Sequence, residues 1–149
     1  MPTESRVKQR FVPMLVYRDC PGAIEFLCRA FGFSEVSRLA MADGRIGHAE
    51  LEYEGQVIAL SSVYEEMGLE SPLELPALHC QMQCNVDDVD AHHEAAQKAG
   101  ATILQAVEDQ FYGDRTYRAV DPEGNRWIFS QRVREVSKEE LEAVVAGMQ

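Results

Sequence analysis

Apolar and polar positions along this chain follow one pattern and then follow it again. Residues 11–17 (FVPMLVY) form an apolar run that predicts a buried strand. Asp19, Cys20 and Pro21 supply a helix start, a capping residue followed by proline in the first turn. Ala23, Ile24, Leu27, Ala30 and Phe31 recur at helical spacing, and Gly32 offers the left-handed stop. Residues 34–39 read as a strand and Asp43-Gly44 as a turn; residues 46–53 and 56–61 read as a hairpin closed by Glu54-Gly55.

The second half repeats this grammar. Residues 78–85 predict a strand, Asp87 or Asp88 a cap, and Val89, Ala91, Ala95, Ala96 and Ala99 a helix that ends at Gly100. Strands over 101–106, 116–121 and 126–131 follow, with turns at Tyr112-Gly113-Asp114 and Glu123-Gly124. Glu54-Gly55 and Glu123-Gly124 stand 69 positions apart, as do Ser61 and Ser130, while Gly32 and Gly100 stand 68 apart. The same order at a nearly constant offset marks a duplicated unit. The predicted plan is α+β: a first strand–helix–strand–strand–strand module over 11–61, a connection over 62–77, a second module over 78–131, and a terminal helix over 137–148. Ser137 and Glu140 form a capping box for that helix, whose apolar stripe of Leu141, Val144, Val145 and Met148 suits packing on the domain or on a second subunit.

Hairpin turns fix strand pairing, and pairing fixes faces. With Glu54-Gly55 as a two-residue turn, Tyr53 opposes Gln56, Leu51 opposes Ile58, Glu50 opposes Ala59 and His48 opposes Ser61. Ala49, Leu51, Tyr53, Ile58 and Leu60 then face the helix, while His48, Glu50, Glu52, Val57, Ala59 and Ser61 share the other face. The same turn at Glu123-Gly124 predicts Arg118, Val120, Trp127 and Phe129 on the helix side, with Tyr117, Ala119, Arg126, Ile128 and Ser130 opposite. His48 and Tyr117 become repeat mates, as do Glu50 and Ala119. The leading strand sorts into Cys80, Met82 and Cys84 toward the helix and His79, Gln81 and Gln83 away from it. A face mixing small apolar residues with a few convergent polar ones is the usual lining of a small-molecule site.

Charge narrows the function classes. The net charge of −11 leaves no basic stripe to displace counterions, which argues against nucleic acid as a partner. No apolar run reaches the length of a membrane span and no secretion signal is expected, so the expected location is the cytoplasm. Cys20, Cys28, Cys80 and Cys84 show no CxxC spacing and read as reduced, mostly buried thiols. His92 and His93 are neighbours on a helix and point in different directions, so they do not form a paired ligand set.

The segments VPMLVYRDCPGAIEFLCRAFGF, GHAELEYEGQVIALSS, VDDVDAHHEAAQKAGATIL and DQFYGDRTYRAVDPEGNRW resemble the vicinal oxygen chelate superfamily, which includes glyoxalase I, bleomycin-resistance proteins and extradiol dioxygenases. More narrowly they resemble its PhnB-like branch. The resemblance implies two modules curling mixed sheet around one cleft, usually in a homodimer. It also places metal ligands at the start of each module's first strand and in the middle of each last strand. Here those positions fall on Val12, Ala59, Gln81 and Ile128, of which only Gln81 offers an oxygen. The expectation is therefore a small-molecule binder with no metal and no cofactor. Its ligand-binding residues would be His48, Glu50, Gln81, Tyr112, Arg115, Tyr117 and Ile128, and its ligand cationic or aromatic. The alternative is a lyase, isomerase or dioxygenase using a divalent metal ion on His48 and Glu50, with His79 as a possible third ligand; metal-free acid–base chemistry at Glu50 and His48 is a further one.

Overall fold

Asp19 opens the first helix by accepting a hydrogen bond from the Gly22 amide at 3.1 Å, and Gly32 closes it in the left-handed conformation. These atoms come from a computed structural model that describes residues 9–148, in two units that divide after Leu78. Each unit is a mixed four-stranded sheet with its own helix, and a third helix follows the second sheet.

The first unit runs β1 (Met14–Tyr17), α1 (Cys20–Phe31), β2 (Ser34–Ala40), β3 (Ile46–Tyr53) and β4 (Gln56–Ser62). Its strand order is β1-β4-β3-β2, with β1 parallel to β4 and the other pairs antiparallel. β1 is shorter than its apolar run. Pro13 has no amide to donate, although its carbonyl still accepts from the Ala59 amide at 2.9 Å. Ahead of it the Gln9 side-chain amide stands in for a strand, accepting from the Val57 amide at 2.6 Å and donating to its carbonyl at 2.7 Å. The first hairpin pairs Tyr53 with Gln56, Leu51 with Ile58 and Glu50 with Ala59, as expected. Leu15, Tyr17, Ala49, Leu51, Ile58 and Leu60 are buried on the side that meets Ala23, Ile24, Leu27, Ala30 and Phe31 of α1. At about 25 cal/mol per Å² of apolar area, such a two-layer core is the main stabiliser of a module this small. The connection after β4 folds back on this unit: the Arg45 guanidinium lies 4.0 Å over the Tyr64 ring and pairs with Glu66 at 2.8 Å, and Arg18 pairs with Glu74.

The second unit runs β5 (Met82–Asn85), α2 (Val89–Lys98), β6 (Thr102–Asp109), β7 (Asp114–Val120) and β8 (Arg126–Arg132), in the order β5-β8-β7-β6, followed by α3 (Lys138–Ala146). Residues 78–81 are not strand. Met82 pairs with Trp127 and β8 starts at Arg126, so anything earlier than Gln81 would lie beside the turn, with no partner strand. Cys80 is exposed in consequence, a correction to its expected helix-facing place; Cys20 is buried, Cys28 and Cys84 partly so, and all four thiols are free. No residue of α3 is buried: Val144, Val145 and Met148 are 40%, 55% and 58% exposed.

The second hairpin departs from the expected register by one residue. Asp121 and Asn125 are the bonded pair at its base, the Asp121 amide reaching the Asn125 carbonyl at 3.0 Å, and Pro122, Glu123 and Gly124 form a three-residue loop. Proline suits the second position of a type I turn, and Gly124 takes the positive φ of 92° that this loop then requires. The first hairpin has two loop residues where the second has three. A one-residue shift exchanges the faces of the preceding strand. Tyr117 and Ala119, fully buried beside Trp127 and Phe129, therefore lie on the helix side, and Thr116, Arg118 and Val120 lie opposite with Ile128 and Ser130. The repeat mate of Glu50 is Arg118, not Ala119, and that of His48 is Thr116, not Tyr117.

Candidate functional site

In each unit the sheet has one face under its helix and one face without a helix, and the candidate chemistry gathers on the helix-free faces. In the first, β3 projects His48, Glu50 and Glu52, β4 projects Val57, Ala59 and Ser61, and β1 projects Met14 and Val16. His48 Nε2 lies 3.4 Å from Glu50 Oε1, at the long end for a hydrogen bond. The Glu50 side chain is only 18% exposed, against 41% for His48. Ala59, directly opposite Glu50, is buried. A sheltered carboxylate beside an imidazole on an apolar floor can accept a hydrogen bond from a ligand or hold a proton in exchange with the ring.

In the second unit the helix-free face has a different polarity. Arg118 sits on the interior strand β7, in register with Ile128 on one side and Gln105 on the other, and Gln83 lies beyond Ile128. The next row along β7 is a closed network. Thr116 Oγ1 accepts from Gln105 at 3.3 Å and from Gln110 at 3.0 Å; Ser130 donates to Asp114 at 2.9 Å, and Arg132 pairs with Asp114 at 2.8 Å.

The expected site residues do not all meet. His48 and Glu50 are together as read, and Ile128 is on the helix-free face as read. Tyr117 is not: it stacks on Phe129 in the helix-side core and shares a 2.5 Å hydrogen bond with His92 Nδ1. Arg115 follows the same parity and is tied to Asp90 of α2 and Asp109 of β6, both at 3.0 Å; its hydrogen bond holds the Asp90 carboxyl below the ordinary carboxylate range. Tyr112 lies in the loop before β7, its ring edge-on to Phe111. His79 and Gln81 are exposed residues ahead of β5. A two-residue turn at Glu123-Gly124 puts Arg118 on the helix side; the signal that finds its true place is the Asp-Pro-Glu-Gly-Asn turn, whose loop length sets the parity of β7.

The positions where the resemblance puts metal ligands do not fit a divalent ion. Val12, Ala59 and Ile128 carry no donor atom, and a single amide at Gln81 is a poor hard-cation site. Among the described residues, no group of three or more His, Cys, Asp or Glu side chains is placed to hold a metal. A separate groove of about 730 Å³ runs between α1 and β2, lined by Cys28, Arg29, Glu35 and Arg38 among others. Its charges are paired within it, and burial followed by Glu35 pushes the Cys28 thiol up, away from reactivity. No helix among the described residues is long and apolar enough to cross a membrane.

Comparison with known proteins agrees with this layout. Residues 10–129 match the model of the glyoxalase/bleomycin resistance protein/dioxygenase superfamily. An uncharacterized protein of Mycobacterium bovis is 36% identical over 144 residues, 95% of each chain, and one from Mycobacterium tuberculosis is 36% identical over 95% of this chain and 85% of its own. Among solved structures, TioX from Micromonospora sp. ML1 is similar at 29% identity and a TM-score of 0.65, covering 87% of this chain and all of its own. A glyoxalase/bleomycin resistance protein/dioxygenase family enzyme from Burkholderia phytofirmans shares the fold at 24% identity and a TM-score of 0.64, over 80% of this chain and 95% of its own. With the family model spanning most of two tandem strand–helix–strand–strand–strand units, this chain belongs to the glyoxalase/bleomycin resistance protein/dioxygenase superfamily.

Proposed function

We propose that this protein binds a small organic molecule on a helix-free sheet face, without the divalent metal that the resemblance implies. The observation that carries this is the helix-free face of the first sheet, where a sheltered Glu50 and its His48 neighbour stand among Val16, Val57 and Ala59. A carboxylate and an imidazole set among apolar neighbours are the mixed lining that positions a small polar ligand. Within the superfamily we place the chain in the PhnB-like branch, on the four segments quoted above, and take it to act as a cytoplasmic homodimer. The unburied apolar stripe of α3 supports the second copy.

The test is a thermal-shift screen of a chemically diverse small-molecule library on wild-type protein and on Glu50→Gln. Hits that stabilise the wild type and lose at least half of their shift in the variant support the reading. A screen with no hits, or hits indifferent to both Glu50→Gln and His48→Ala, overturns it. Adding zinc, nickel, manganese or iron in the same assay must leave the melting temperature unchanged; a reproducible rise would instead favour a metal-dependent reaction at His48 and Glu50.

A further inference from the structure

We propose that Arg118, on the helix-free face of the second sheet, anchors the carboxylate of a small-molecule ligand, so that this acidic protein takes up an anion. The proposal rests on the small-molecule reading above and sharpens it to one chemical class.

Charge accounting on the second sheet leads there. Arginines are seldom buried without a counter-charge. Among the described residues, the partly buried arginines Arg45 and Arg115 each hold carboxylates at about 3 Å. Arg18, Arg29, Arg38, Arg132 and Arg134 are paired as well. Arg118 is partly buried and has no carboxylate partner among the described residues, in a protein with 25 acidic residues to 14 basic ones. Its surroundings on that face explain why. The residues in register with it are Gln105 and Ile128, and those two places along its own strand are Thr116 and Val120, none of them acidic. The carboxylates that the register puts on this face have other partners, Glu108 with Gln110 at 3.1 Å and Asp114 with Ser130 and Arg132. Arg132 on the same face is taken up by Asp114, whereas Arg126, two residues before Ile128 on β8, has no carboxylate partner among the described residues and adds a second positive charge.

A guanidinium fork matches a carboxylate bidentately, and such charge-assisted bonds strengthen as water is excluded. Here the fork sits on an interior strand, so the sheet fixes its base, and Ile128 supplies the apolar neighbour that an organic acid's hydrocarbon body would cover. The net charge of −11 suggested a cationic ligand; the local charge on this face points the other way.

Matched pairs test it. Benzoate, salicylate, phenylacetate and indole-3-acetate are titrated alongside their primary amides, followed by ¹H–¹⁵N NMR of the arginine Nε–Hε resonances and by calorimetry. At least one acid is expected to shift the Arg118 resonance and to bind about tenfold tighter than its amide. Arg118→Gln should abolish that preference, while Arg118→Lys, which keeps the charge and loses the fork, should retain part of it. Because Arg118 has no ion pair to lose among the described residues, both variants should melt within a few degrees of the wild type. Acids and amides binding alike, or a preference that survives Arg118→Gln, would overturn the anchor and leave small-molecule binding standing. No binding by any member, with an empty library screen, would overturn both. An Arg118→Gln effect confined to melting temperature would assign the residue a structural part and likewise end the proposal.

Discussion

Removing the Asp121 carboxylate should unlock the second hairpin, and the size of the effect follows from its bonds. One oxygen accepts from the backbone amides of Glu123 and Asn125, each at 3.1 Å, and the other from the Trp127 indole at 3.2 Å. All of these residues are at least nine-tenths buried. Asp121→Ala leaves three donors without that acceptor, at about 1–3 kcal/mol for each that water cannot reach. Allowing for partial hydration of the turn, the loss is about 3–5 kcal/mol, or roughly 10 °C in melting temperature for a chain of this length. Asp121→Asn keeps the oxygen that serves the two amides but turns an NH₂ toward the indole N–H, which predicts a smaller loss of about 1–3 kcal/mol. The assay is direct, because Trp127 is the single tryptophan and its fluorescence reports this site during thermal unfolding. Wild type should be most stable, then Asp121→Asn, then Asp121→Ala. An Asp121→Ala protein melting within about 2 °C of wild type would refute the claim that this carboxylate holds the turn.

A Cβ on Gly113, at φ 98°, would run into the Arg134 carbonyl oxygen, whereas Gly44, at φ 89°, has open space around it. Gly113→Ala should therefore cost at least about 3 kcal/mol and Gly44→Ala about 1 kcal/mol, by chemical denaturation. Burial pushes the Cys84 thiol up to about 11, so near pH 8 a disulfide reagent should modify exposed Cys80 quickly and Cys84 slowly. Because that thiol's value is raised on folding, its contribution to stability is complete below about pH 9 and declines as pH rises toward 11; alkaline titration of the Cys84→Ala variant should show a shallower decline. Tyr117→Phe removes the hydroxyl bonded to His92 and should cost about 1 kcal/mol in stability while leaving benzoate affinity unchanged; a tenfold loss of affinity would put Tyr117 back on the ligand face.

Much of this was legible in the sequence where a single residue type has a single job. Asp19 and Asp88 cap their helices, Gly32 ends the first, and Glu54-Gly55 sets the first hairpin's register, which is enough to put Glu50 opposite Ala59. The second hairpin misled because Glu123-Gly124 looks like a copy of Glu54-Gly55, while Pro122 adds a loop residue ahead of it. Alternation within β7 gives no warning: Tyr117 and Ala119, or Arg118 and Val120, make equally plausible inward sets by polarity alone. Only the burial of Trp127 and Phe129 opposite them decides it. The missing first part of β5 was illegible for a similar reason, since strand length there is set by where β8 begins.

The added loop residue has a bearing on how such a duplicated fold diverges. Inserting one position at a hairpin tip swaps the odd and even residues of the strand before it, without altering any of them. Residues that had been constrained by core volume are released to vary with a ligand, and residues that had varied with a ligand must begin to pack. A copy carrying that insertion starts with a new set of functional positions, drawn from what had been its interior. Aligning the two halves residue for residue across such a loop compares core with surface, and variants designed from that alignment would exchange the two.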